Sequence, residues 1–135
     1  MKKLPNLSYN LELKTNKSRP QDLKERTFEF STSIIKLASE FPNKKTYWII
    51  SDQLVRSATS IGANIIEAQG SSSKKEFINF YHIALKSAKE TVYWLRLLEE
   101  SELVSKDKIS KFTAECTEIS KILTASILTM KRNLQ

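Results

Sequence analysis

The stretch at residues 43–70, NKKTYWIISDQLVRSATSIGANIIEAQG, decides the fold. Tyr47, Ile50, Leu54, Ala58, Ile61, Ile65 and Ala68 recur within it at steps of three and four. That spacing puts all seven side chains on one face of a helix. Pro42 lies just before the run, and Gly70 with three serines follows it, so the helix begins near Asn43 or Thr46 and continues to about Gln69. Twenty-odd residues of one sustained helical period leave no room for a strand reading.

The same period extends in both directions. Upstream, Pro20 presets a helix entrance, and Asp22 with Glu25 three residues on reads as an N-cap. This first helix runs to about Glu40 on a stripe of Leu23, Phe30, Ile34, Leu37, Ala38 and Phe41, and Pro42 stops it. Downstream, Ser73 and Glu76 form a capping box ahead of a third helix that turns Phe77, Phe80, Ala84, Ala88, Thr91, Leu95 and Leu98 inward and ends near Ser101. A fourth starts at Ser105 or Asp107 and carries Ile109, Phe112, Cys116, Ile119, Leu123, Ile127 and Met130 on one side. Four amphipathic helices joined by three short connectors predict an all-α, antiparallel up-down-up-down four-helix bundle over residues 22–135. Residues 1–21 hold no sustained period and read as a flexible basic N-terminal arm.

The composition supports one soluble domain of 135 residues, 40% hydrophobic and 27% charged. Two glycines and three prolines argue for few, long elements and exclude a glycine-rich phosphate loop. One cysteine excludes a disulfide framework, and one histidine excludes multi-histidine metal sites. No apolar run approaches the ~20 residues that span a bilayer, and the first residues lack an apolar signal core. The expectation is a reducing, cytoplasmic compartment with no membrane association.

Charge is unevenly spread within the net of +7. Residues 1–21 carry Lys2, Lys3, Lys14, Lys17 and Arg19 against Glu12 alone, whereas residues 22–105 balance. Residues 106–135 are basic again, ending on Lys131 and Arg132. Such an excess serves solubility or attracts phosphates. On the second reading the arm cations, Lys131 and Arg132 contact RNA or DNA, with Arg56, Lys74 and Lys75 as further candidates. No base-stacking platform is evident, so binding would be independent of sequence and sensitive to salt.

Apolar residues remain after the core stripes are assigned. Trp48, Val55 and Ile66 lie about 100° round the second helix from its inner face, as do Ile78 and Leu85 on the third and Phe28 and Ile35 on the first. Tyr93, Trp94 and Leu97 point away from the third helix's inner face altogether. A wide core seam accounts for the first group. An interface between copies of the chain accounts for either group and suits Tyr93, Trp94 and Leu97 better.

No constellation for chemistry emerges. Di-iron bundles place a histidine three residues after a glutamate, but Asn79 stands three residues before His82, and Glu115 and Glu118 have no histidine partner. Cys116 falls in the inner stripe, as a small core residue would. The Arg-then-His spacing of some helical ribonucleases is absent, since Glu76, Phe77 and Ile78 occupy those positions before His82. We therefore expect no catalytic residue, metal or cofactor. The polar series Gln53, Arg56, Ser60, Asn64 and Glu67 reads as a solvated face or as a hydrogen-bonded network against a neighbour. Gly62 costs about 1 kcal/mol in a helix relative to alanine, which is easier to understand if another backbone approaches there.

Phe41-Pro42, Tyr47, Gln53-Leu54-Val55-Arg56-Ser57-Ala58 and Ser60-Ile61-Gly62-Ala63-Asn64-Ile65-Ile66-Glu67 together resemble the four-helix-bundle proteins encoded in intervening sequences of bacterial 23S ribosomal RNA genes. Ser73-Lys74-Lys75-Glu76-Phe77 and Ile83-Ala84-Leu85-Lys86-Ser87 extend the resemblance, which covers roughly residues 22–130. That family is similar in turn to the accessory variability determinant of diversity-generating retroelements, a basic pentameric bundle that works with a reverse transcriptase and RNA. The resemblance implies a non-catalytic homo-oligomer, a pentamer, with affinity for nucleic acid and structural roles for Asn64 and Glu67. Where the family often carries paired arginines, this chain has Val55 and Arg56, which shifts the weight of phosphate contact to the arm and the last helix. The alternative is a protein-interaction scaffold with no nucleic-acid role.

Overall fold

The computed structural model describes residues 20–134, with side chains from Leu23 onward. Four helices follow one another: α1 (Pro20–Ser39), α2 (Lys45–Gln69), α3 (Lys74–Glu100) and α4 (Lys106–Asn133). Pro20 is the first residue of α1 rather than a residue ahead of it, a position where its missing N–H costs nothing. Asp22 therefore lies inside the first turn and is not the N-cap.

Each later boundary has a local cause. Lys44 precedes α2 without a side-chain cap, and the indole N–H of Trp48 donates to Asn43 Oδ1 at 2.8 Å across the helix start. Ser73 Oγ accepts the Glu76 N–H at 3.1 Å. The Glu76 carboxylate reaches back one residue further than a capping box requires, accepting the Ser72 N–H at 3.0 Å and the Ser72 hydroxyl at 2.7 Å. Those bonds hold the Glu76 carboxyl below its ordinary value. The α3 C-terminus closes through Glu102, whose φ of 59° lies in the left-handed region. Glu102 N–H then donates to Glu99 O and Leu103 N–H to Leu98 O, satisfying two of the last carbonyls. Ser105 caps α4, and Lys131 and Arg132 sit in its last turn, where the helix dipole favours cations.

Pairings between helices run in opposite chain directions. Thr27 of α1 faces Gly62 of α2, and Ser31 Oγ donates to Ala58 O at 3.4 Å. Between α2 and α3, Ser57 pairs with Thr91 and Ser60 with Ser87, each at 2.9 Å. The connector from α3 to α4 is five residues, far too short to carry the chain back along a helix of roughly 40 Å. The α2–α3 interface is the most extensive, and the α1–α4 closure is the sparsest.

One core runs through the bundle, with Ile34, Leu54, Ile61, Ile65, Leu95, Leu98, Ile109, Ile119 and Leu123 fully enclosed. Thr27 and Thr91 are equally buried. Their hydroxyls donate to the carbonyls one turn back, Leu23 O at 2.8 Å and Ser87 O at 2.7 Å, which removes the cost of burying them. At the start of α3 the buried residues are Ile78 and Tyr81, while Phe77 and Phe80 are half-buried. Ile78, expected at a surface between copies, is therefore a core residue at 5% exposure.

Gly62 marks the close approach of α1. A Cβ there would sit 3.2 Å from Thr27 Oγ1 and 3.5 Å from Thr27 Cβ. Gly62→Leu is expected to destabilise the bundle by about 1–3 kcal/mol through overpacking, despite leucine's better helix propensity. A urea midpoint at or above the parent's would contradict the tight α1–α2 approach.

Candidate nucleic-acid interface and self-association surface

Antiparallel packing gathers the start of α1, the end of α2, the start of α3 and the end of α4 at one pole of the bundle. Lys74 and Lys75 from α3 and Lys131 and Arg132 from α4 are exposed there. An open cleft of about 490 Å³ lies between them, lined by Ser73, Lys75, Glu76, Ile78, Asn79, His82 and Lys131. Pro20, the first described residue, begins α1 at this pole; Lys2, Lys3, Lys14, Lys17 and Arg19 precede it and lie outside the described residues. Arg56 is exposed but stands about 20 Å along α2 from this pole, apart from the cluster. The opposite pole is of mixed charge, with Glu99, Glu100 and Glu102 around a second cleft that Lys106 also lines.

The leftover apolar residues divide into two groups. Val55, Leu85 and Trp94 are half-buried and pack against the core, as a wide seam requires. Leu97 is half-buried as well. Phe28, Ile35, Trp48, Ile66 and Tyr93 stay exposed, Phe28 at 69% and Tyr93 at 57%. Because Thr27 faces Gly62, helical geometry places Phe28 and Ile35 of α1 and Trp48 and Ile66 of α2 along the outside of one seam. Ile49, Ile83, Leu128 and Leu134, which no sequence stripe singled out, are also exposed. The Trp94 ring meets Tyr93 edge-on at 5.1 Å, and its indole nitrogen is buried with no hydrogen-bond partner among the described residues.

The polar series on α2 splits in the same way. Asn64 Nδ2 donates to Ser60 O at 2.8 Å and Ser60 Oγ at 3.0 Å, and Ser87 of α3 donates to the same Ser60 hydroxyl. With Ser57 and Thr91 this forms a hydroxyl seam between α2 and α3. Glu67 and Arg56 are exposed and lie outside that seam.

A second polar element had no sequence signal. Arg26 of α1 grips Glu115 of α4 with two parallel bonds, Nε to Oε2 at 2.8 Å and Nη2 to Oε1 at 2.7 Å. The Arg26 side chain is only 13% exposed. Its pKa is raised, first by the Glu115 hydrogen bonds and then by the charges of Glu115 and Glu118, against the opposing pull of burial. The partners are 89 positions apart, so nothing short of knowing which helix faces meet would pair them.

Residues 20–125 match the 23S rRNA-intervening sequence protein family. The chain belongs to that family. A solved structure described as a protein with unknown function from the S23 ribosomal protein family of Bacteroides thetaiotaomicron VPI-5482 is 40% identical. The match covers 78% of this chain and 97% of that one, with a TM-score of 0.74. Among curated proteins, none matches the chain. Lys131, Arg132 and the basic segment before Pro20 fall outside the family match. Within it lie the Gly62 approach, the hydroxyl seam and the Arg26–Glu115 pair.

Cys116 is buried and donates to Ala88 O at 3.2 Å. Burial pushes its thiol up to about 12, so it is held protonated at neutral pH. Among the described residues, no helix is long and apolar enough to cross a membrane.

Proposed function

We propose that the chain is a non-catalytic, self-associating bundle whose basic pole holds nucleic-acid phosphates without reading base sequence. The observation that carries this reading is the convergence of Lys74, Lys75, Lys131 and Arg132 at the pole where the five-cation N-terminal segment joins α1. Phosphate neutralisation needs clustered cations and no particular base contact. The inert Cys116 thiol suits a role without covalent chemistry.

Self-association is supported by Phe28, Ile35, Trp48 and Ile66, which flank one seam and are each about half exposed or more. We take the assembly to be a ring of five, on the likeness of this family to the accessory variability determinant of diversity-generating retroelements. On the same likeness, RNA and a reverse transcriptase in the cytoplasm are the proposed partners. The exposed Tyr93 beside the orphaned Trp94 indole supports a second reading, a scaffold that docks another protein and binds no nucleic acid.

A gel-shift titration of the purified chain with a single-stranded RNA of mixed sequence, at 50 and 200 mM salt, tests the first reading. The expected result is retention at low salt that weakens by about a thousandfold at the higher salt, with scrambled RNA and DNA behaving alike. Absence of retention at low salt would remove the nucleic-acid role and leave the scaffold.

A further inference from the structure

The cleft at the basic pole has more to it than charge. Lys75 from the first turn of α3 and Lys131 from the last turn of α4 line it from two separate elements, and Asn79 and His82 add hydrogen-bonding groups one and two turns further along α3. The one carboxylate in the lining, Glu76, is engaged by the Ser72 N–H and hydroxyl, which fixes it against the connector. Ile78, buried at 5% exposure, gives the cleft an apolar floor. A bare phosphate needs only the two ammonium groups. The apolar floor and the imidazole beside them suit the sugar and base that follow.

We infer that this cleft is a nucleotide subsite: Lys75 and Lys131 hold one phosphate, and His82 and Ile78 face the attached nucleoside. The inference rests on the nucleic-acid reading and deepens it. The subsite fixes one nucleotide of a strand, and the remaining cations track the phosphates on either side. Glu76 on the same helix and Lys131 on the facing one are the charged groups that line the cleft with His82 and Lys75.

His82 is the only histidine in the chain, so its ring-proton NMR signals report on this cleft alone. The full-length protein is titrated with adenosine 5′-monophosphate, inorganic phosphate or adenosine into the millimolar range, at constant ionic strength. The expected result is a saturable displacement of both His82 signals by the nucleotide, a weaker response to phosphate and none to adenosine. In Lys75→Ala/Lys131→Ala, whose substituted side chains are exposed, the nucleotide is expected to bind at least about tenfold more weakly, with an unchanged circular-dichroism spectrum. Stationary His82 signals with the nucleotide, or an undiminished response in the double variant, would overturn the subsite. RNA retained on a gel by a protein whose His82 signals ignore the nucleotide would overturn the cleft alone. A saturable nucleotide response without RNA retention would uphold the cleft and refute the broader reading.

Discussion

Glu115→Ala is expected to lower the unfolding free energy by about 2–3 kcal/mol, read from urea denaturation. Exposed ion pairs are worth about 0–1 kcal/mol, while breaking a buried one costs about 3–5 kcal/mol because a charge is left without its partner. This pair lies between those limits: Arg26 is 13% exposed and Glu115 35%. Removing the carboxylate strands a guanidinium whose Nη1 already has no partner among the described residues. The raised Arg26 pKa means that its share of the stabilisation is fully present below the ordinary arginine value and is lost only as pH rises through the still higher folded-state value. Across neutral pH that share is therefore constant. The Arg26→Met/Glu115→Leu double variant, which leaves no stranded charge, should recover most of the loss. A penalty below about 0.5 kcal/mol for Glu115→Ala would show that the sparse α1–α4 closure does not depend on the pair.

Deleting residues 1–19 should reduce nucleic-acid affinity by about a hundredfold near 100 mM salt and leave the bundle's helicity and thermal midpoint unchanged. The segment removes five cations and one carboxylate. If all five contact phosphates of a single strand, the slope of log affinity against log salt should become shallower by about 3–4. The four cations at the pole would retain the residual binding. An unaltered slope would place the phosphate contacts elsewhere on the protein.

The helices were legible because each buried stripe keeps an uninterrupted period. Leu54, Ala58, Ile61, Ile65 and Ala68 on α2 are all buried, as are Ile109, Cys116, Ile119, Leu123 and Ile127 on α4. Boundaries were legible where a side chain does the capping, as at Ser73 and Ser105. Thr27 was missed because its side chain is polar, and its burial depends on a backbone carbonyl of its own helix. At the start of α3, Phe77 and Ile78 are equally apolar neighbours, so the sequence period alone does not decide which turns inward; in the structure Ile78 is buried and Phe77 half-buried. The outward residues posed the same difficulty. Val55 and Trp48 share a stripe seven residues apart, yet one packs against the core and the other stays exposed, because α1 covers only part of α2.

The basic pole was half visible. Basic pairs at residues 2–3, 74–75 and 131–132 stand out in the sequence as separate features. Only the alternation of helix directions brings the last two together, while the first lies outside the described residues. His82 carried no signal of its own, since only the packing of α3 against α4 puts it in the lining of the same cleft as Lys131.

Phe28, Ile35, Trp48 and Ile66 leave apolar surface outside the finished core, and a second copy of the chain is the cover proposed here. Multi-angle light scattering on the full-length protein over a hundredfold range of concentration measures this directly. The account predicts a single species at a whole-number multiple of 15.5 kDa, five on the family likeness, with Phe28→Glu/Trp48→Glu reduced to one chain of unchanged helicity. A mass of 15.5 kDa at the highest concentration would contradict it.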